Sequence, residues 1–147
     1  APERQRFGPA GYSNRRMRSR ARTLALVAGG GFAGANARWL LAVALPDLGG
    51  TLAVNVLGAF ALGAVVATVA AGRLNPAVRL ALATGFLSSF TTYSTFAVES
   101  ALAGSPALVI GNVLANYALG FAAAALGMAL ARRVVDADDA SAGGESA

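Results

Sequence analysis

The chain has 147 residues, of which 56% are hydrophobic and 13% charged, whereas a soluble domain carries about a quarter charged residues. All its basic residues are Arg, and Cys, His and Lys are absent, which excludes disulfides, thiol chemistry and the usual transition-metal sites. Between Arg38 and Arg73 the only charge is Asp47, and between Arg79 and Arg132 it is Glu99, too few to dress a water-soluble surface. The solvent for such a chain is lipid. Its net charge of +5 would suit nucleic acid, but the Arg residues flank apolar runs, so the bilayer surface accounts for them and no nucleic-acid partner is expected.

Residues 1–22 are polar and rich in Arg, Gly, Pro and Ser, and are expected to form a disordered basic segment. A first apolar span runs from Thr23 to Leu45 and ends in the turn Pro46-Asp47-Leu48-Gly49-Gly50. Thr51 to Ala71 is a second span, Arg79 to Ala103 a third and Ala107 to Ala131 a fourth, with Gly72-Arg73-Leu74-Asn75-Pro76 and Gly104-Ser105-Pro106 between them. A bilayer core of roughly 30 Å needs about 20 helical residues, and each span meets that. The predicted fold is an all-α integral membrane protein with four transmembrane helices in residues 23–133, followed by an acidic disordered tail over 134–147. Arg15-Arg16 ahead of an apolar stretch and Ala35-Asn36-Ala37 also resembles a twin-arginine signal with its cleavage site. Cleavage there would still leave three hydrophobic spans, not a secreted domain.

Four passes place the Arg-rich start, Arg73, Arg79, Arg132 and Arg133 on one side, while the two opposite loops carry no Arg. The positive-inside rule then predicts a multi-pass protein with both termini in the cytoplasm; the membrane is expected to be a bacterial plasma membrane. Asn55-Val56-Leu57-Gly58-Ala59-Phe60-Ala61-Leu62-Gly63 in span two is echoed by Asn112-Val113-Leu114-Ala115-Asn116-Tyr117-Ala118-Leu119-Gly120 in span four. Those spans run in the same direction, so any inverted symmetry of the kind transporters use must come from a second chain.

Polar groups inside a span each call for a partner or a role. The glycines of spans one and two are read as packing positions, and Gly29-Gly30-Gly31 with Gly34 is no phosphate loop because no strand precedes it. Arg38 either anchors its helix at the interface or stands as a cation at the mouth of an anion pathway. Asn55 either bridges two helices or offers amide donors to a pore. In span three, Gly85 to Phe96 crowds Ser88, Ser89, Thr91, Thr92, Ser94 and Thr95 together, side chains that compete for backbone hydrogen bonds. They would either bond back onto a continuous helix or break it, and a break is tolerated at membrane depth only inside protein or along water. Glu99 lies one turn beyond Thr95 and Phe96, and is the only acid inside a span; it is either paired or facing a vestibule.

At these residues the chain resembles a known family. Gly30 to Trp39 looks like the first-helix motif of the Fluc (CrcB) fluoride channels, Gly50 to Asn55 is similar to their second-helix motif, and Gly85 to Glu99 resembles their third-helix signature. The resemblance covers roughly residues 24–131. It implies a subunit exporting fluoride passively across the cell membrane to relieve toxicity, with two four-helix chains inserted antiparallel and two pathways along their interface. It implies a third helix broken near its middle, where backbone carbonyls of Ser88 and Thr91 from both chains hold a structural sodium ion. Tyr93 and Phe96 would meet fluoride with their ring edges, Asn55 would donate to it, Thr92, Ser94 and Thr95 would add hydroxyls, and Arg38 with Glu99 would border the vestibule. The residue chemistry agrees, since a tightly hydrated anion needs donors, an aromatic edge is electropositive, and conduction needs weak multi-site binding.

The chain also departs from the family pattern, with Tyr93 for Phe, Ser88 and Ser89 for Gly, and Phe121 at a polar position of the fourth helix. Its one-sided Arg distribution favours a heterodimer with a related subunit of opposite bias over a homodimer of dual topology. A small multidrug-type proton-coupled transporter needs an acid in span one, where this chain has Arg38, and a non-conducting structural subunit has no use for the polar run of span three. Enzyme chemistry is not expected, because no base stands beside a nucleophile.

Overall fold

The computed structural model describes the backbone of residues 9–45 and 47–144 and the side chains of residues 17–45 and 47–142, and all of its regular structure is helical. Helix α1 spans Pro9–Ala44 and α2 spans Leu48–Ala70. The third segment begins with α3, Pro76–Arg79, widens into a π-helical stretch over Leu80–Leu87, and closes with the turn α4, Ser88–Phe90. After a break, α5 covers Ser94–Leu102, and α6 covers Pro106–Gly144.

Local chemistry sets most of these ends. Gly72 takes φ +69°, its amide bonds to the Val69 carbonyl at 3.0 Å and the Arg73 amide to Thr68 at 3.1 Å, a Schellman cap closing α2. Asn75 caps α3 by accepting from the Ala77 amide at 2.9 Å, with Pro76 at the first helical position. Ser105 does the same for α6, its hydroxyl accepting from Leu108 at 3.3 Å. Asp47, before α2, holds a positive φ of 62°, a strained turn for a residue with a side chain; Pro46 of the expected turn lies outside the described residues.

Two helix boundaries differ from expectation. Residues 9–22 continue α1 instead of forming a disordered segment, and residues 134–144 continue α6 instead of a disordered tail. Extending an existing helix costs no new nucleus, so both propagate beyond the apolar spans. Residues 1–8 and 145–147 lie outside the described residues.

α2 packs chiefly on α6, and α1 on the π-helical stretch and α4. Glycine makes both seams. A Cβ on Gly34 would collide with the Phe86 carbonyl oxygen, one on Gly30 with the Ala81 carbonyl, and one on Gly85 would sit 2.7 Å from the Val27 carbonyl. On the other seam, a Cβ on Gly63 would collide with the Ala124 carbonyl and one on Gly127 with that of Phe60. Close backbone approach through small residues is how helices associate where lipid offers no hydrophobic gain. Leu48–Ala70 and Pro106–Ala142 are long and apolar enough to cross a membrane, with mean hydropathy 2.2 and 1.7, and only 22% and 6% of their apolar windows are buried. A core helix of a soluble protein is mostly buried; these present their apolar faces outward, as do Phe32, Trp39 and Leu40 of α1. The protein is a membrane protein.

Candidate functional site

The site is built on the break in the third segment. Thr91 leaves the helix with ψ 157°, and α5 restarts at Ser94. The Ser and Thr side chains turn onto the backbone around it. Ser88 Oγ donates to the Thr84 carbonyl and, at 3.3 Å, to that of Gly85, and Thr91 Oγ1 donates to Leu87 at 3.0 Å. Thr92 Oγ1 accepts from the Thr95 amide at 3.2 Å and donates to Thr95 Oγ1 at 3.0 Å, capping the first turn of α5. Ser94 Oγ lies 3.4 Å from the same Thr92 oxygen.

Asn55, on α2, splices the break. Its Nδ2 donates to the Thr92 carbonyl at 3.0 Å, and its Oδ1 accepts from the Thr92 amide at 2.9 Å, so one side chain satisfies both backbone polar groups of a residue outside the helices. A continuous helix would direct the amides of Thr92 and Thr95 at the carbonyls of Ser88 and Thr91. Here Asn55 and the Thr92 hydroxyl take those amides, and the Ser88 and Thr91 carbonyls lose their helical donors.

The polar network continues into α6. Asn55 Nδ2 also donates to Asn116 Oδ1 at 3.2 Å; Asn116 Nδ2 donates to Asn112 Oδ1 at 2.9 Å and to the Asn112 carbonyl at 3.1 Å. Asn112 Nδ2 then donates to Ser100 Oγ at 2.8 Å, both residues being buried. The string returns to α5, so the segment after the break is held near both ends. Asn112, Asn116 and Ser100 are absent from the sequence-predicted set. Their signal was the echo of Asn55 in the span-four repeat, where two Asn stand four apart on one helix face.

Aromatic rings line one side. Tyr93 and Phe96 lie 5.8 Å apart at 48°, Phe96 meets Tyr117 edge-on at 6.4 Å and 90°, and Tyr117 is followed by Phe121 at 6.4 Å. Tyr93 and Phe96 are neighbours as their spacing predicts, yet Tyr93 is 73% exposed and Phe96 only 7%. The helix restart turns Tyr93 outward while Phe96 packs between Tyr93 and Tyr117.

Two cavities meet at this point. A groove of about 500 Å³ is lined by Asn55, Thr92, Tyr93, Phe96, Asn116 and Tyr117, and Ser88 and Thr91 line it too. A second cavity, about 450 Å³, is lined by Arg38, Trp39, Thr51, Thr95 and Glu99, and again by Thr92. Thr92, itself buried, thus lines both. Ser94 touches Thr92 but lines neither cavity. Arg38 and Glu99 share the second cavity without forming an ion pair; among the described residues the one salt bridge joins Arg73 to Asp139. The Glu99 Oε2 atom is buried without a hydrogen-bond partner.

Comparison with known proteins bears on what such a site does. The model of the family described as CrcB-like protein, Camphor Resistance (CrcB), matches residues 25–128. The chain is 50% identical over 111 residues to fluoride-specific ion channel FluC 1 of Haloarcula marismortui, covering 75% of this chain and 86% of that one. It is 59% identical over 105 residues to fluoride-specific ion channel FluC 1 of Natronomonas pharaonis, covering 69% and 87%. With fluoride-specific ion channel FluC 2 of Halobacterium salinarum it shares 46% identity over 117 residues, covering 78% and 91%.

Proposed function

The chain belongs to the CrcB-like family, and we propose that within it this protein is a fluoride-conducting channel subunit through which the ion leaves the cell passively, relieving its toxicity. The observation that carries this reading is Thr92, a buried residue gripped by Asn55 that lines both a cavity holding Arg38, which has no ion-pair partner among the described residues, and a groove edged with aromatic rings. Fluoride is drawn to the Arg38 guanidinium, whose field is focused by low-dielectric walls. The Thr95 hydroxyl accepts from Thr92 and keeps its own proton for the cavity it lines. Past Thr92, the edges of Tyr93, Phe96 and Tyr117 replace hydration with weak contacts an ion can leave again. Glu99 borders the entrance, and Ser94 adjusts the Thr92 hydroxyl.

α1, α2, the segment 76–102 and α6 make four passes with both termini cytoplasmic. The Arg bias supports this orientation, as does the Arg73–Asp139 pair, which joins the turn after α2 to the far end of α6. A second chain inserted antiparallel completes the channel, with fluoride pathways along the interface; the one-sided Arg distribution favours a related subunit of opposite bias over a second copy. A structural sodium ion fits the donor set at the break: Ser88 and Thr91 offer neutral carbonyl oxygens stripped of helical donors, the ligand type a hard cation takes. Such an ion would supply the positive charge that fastens the two breaks together, while these residues bind and orient it.

The test is fluoride efflux, read by electrode, from liposomes holding the purified chain, with chloride as control. Fluoride-selective efflux is expected from the chain alone or together with an oppositely biased relative. No fluoride movement in either preparation would remove the reading.

A further inference from the structure

Asn55 has two amide hydrogens, and both are used within the chain. One goes to the Thr92 carbonyl at 3.0 Å and the other to Asn116 Oδ1 at 3.2 Å. With Oδ1 also engaged by the Thr92 amide at 2.9 Å, the grip on Thr92 has two points and holds the break. The bond to Asn116 is single, is the longest of the three, and joins two residues that both line the groove. Asn55 as folded thus has no spare N–H for an ion.

Asn116 is turned so that its oxygen meets Asn55. Its own nitrogen is committed to Asn112 at 2.9 and 3.1 Å, and Asn112 is anchored on Ser100 at 2.8 Å. With the nitrogen end tied back, the end presented to Asn55 is the acceptor.

We propose that Asn116 Oδ1 is an internal stand-in for the conducted anion: it occupies the Asn55 N–H while the groove holds no ion there, and fluoride passes by displacing it. This rests on the fluoride-channel reading and names the group the ion competes with. Asn55 is half-buried, and a donor shielded from water and left without an acceptor is costly, so the exchange spares it that state between ions. It also makes each ion replace an existing hydrogen bond, which keeps occupancy weak enough for release. Asn112 and Ser100 are positioning residues, acting through the orientation of the Asn116 amide.

Two measurements test this. Initial fluoride efflux is recorded against luminal fluoride for the wild type and for Asn116→Leu, which keeps the volume and removes the acceptor. With the competitor gone, the half-saturating fluoride concentration should fall about fivefold, the worth of one neutral hydrogen bond. An unchanged or higher value would overturn the proposal, because a residue that merely braces the helices has no reason to raise apparent affinity when lost. In the wild-type chain, labelled with ¹⁵N at asparagine, the side-chain amide signals of Asn55 and Asn116 should shift on titration with sodium fluoride and stay still with sodium chloride. Amide signals insensitive to fluoride would sink the idea even if the Leu variant failed to fold. Efflux from the wild type, in whichever of the two preparations conducts, with a half-saturation unmoved by the variant would count against the exchange alone, whereas absence of wild-type efflux both alone and with an oppositely biased relative would count against the channel reading, with the titration still deciding the exchange.

Discussion

Asn55 and Thr92 are joined at both ends of one peptide residue, side-chain nitrogen to carbonyl at 3.0 Å and amide to side-chain oxygen at 2.9 Å. The pairing has the form of a ladder contact between two strands, made here by a side chain because helix α2 has no backbone group to spare. It makes Asn55 at once the splice of the broken segment and a wall of the groove.

Asn55→Asp removes both donors and sets a carboxylate against the Thr92 carbonyl. Fluoride efflux should be lost. The melting transition in detergent should drop in step with a loss of about 1–3 kcal/mol, the usual result of orphaning a buried polar group. Efflux and thermal melting of the same preparation check both.

Phe96→Ile keeps an apolar side chain but removes a ring in contact with both Tyr93 and Tyr117. Each aromatic pair is worth about 0.5–1.5 kcal/mol beyond area. Efflux should fall at least tenfold while the protein still purifies as a monodisperse species on size exclusion. Retained wild-type flux in this variant would mean that the ring edges do not border the pathway.

Gly34→Ala drives a methyl group into the Phe86 carbonyl, a backbone atom that cannot swing aside, whereas the Cβ of Gly29→Ala meets nothing within 4 Å. Overpacking of this kind costs about 1–3 kcal/mol. Gly34→Ala should lower the melting temperature in detergent, and Gly29→Ala should leave it unchanged or slightly raised through helix propensity.

Arg38→Gln removes the cation of the second cavity, where no carboxylate pairs with it among the described residues. Efflux should slow severalfold at low ionic strength. The gap between variant and wild type should narrow as salt rises, since focusing by an accessible charge is screened. A rate ratio independent of salt would assign Arg38 to anchoring its helix instead.

Asp139→Asn breaks the pair with Arg73, whose side chains are 45% and 62% exposed. Exposed ion pairs contribute about 0–1 kcal/mol. Melting temperature and efflux should both stay close to wild type.

Much of this protein is legible without coordinates because the signals are local. Hydropathy along consecutive residues marks the apolar spans, the scarcity of charge between Arg38 and Arg132 names lipid as the solvent, and Gly72, Asn75 and Ser105 mark helix ends by their own side-chain chemistry. The break at Thr91 was also foreseeable, since clustered Ser and Thr compete with the helix they sit in. Helix ends were less legible: nothing in the polar composition of residues 9–22 or 134–144 shows that an established helix will propagate through them.

Tertiary structure decided how the polar groups are shared. Asn55 could be recognised as a polar group in a span, but that its two N–H groups go to Thr92 and Asn116 depends on residues 37 and 61 positions away. The commitment of Asn112 to Ser100, the outward turn of Tyr93 beside a buried Phe96, and the meeting of two cavities at Thr92 are likewise contacts between separate helices. Sequence alone determined which groups would need partners in lipid; only the packing of α2, α5 and α6 determined which partners they took, because a hydrogen bond is fixed by distance and angle across a seam that glycines, not the polar residues themselves, hold at its spacing.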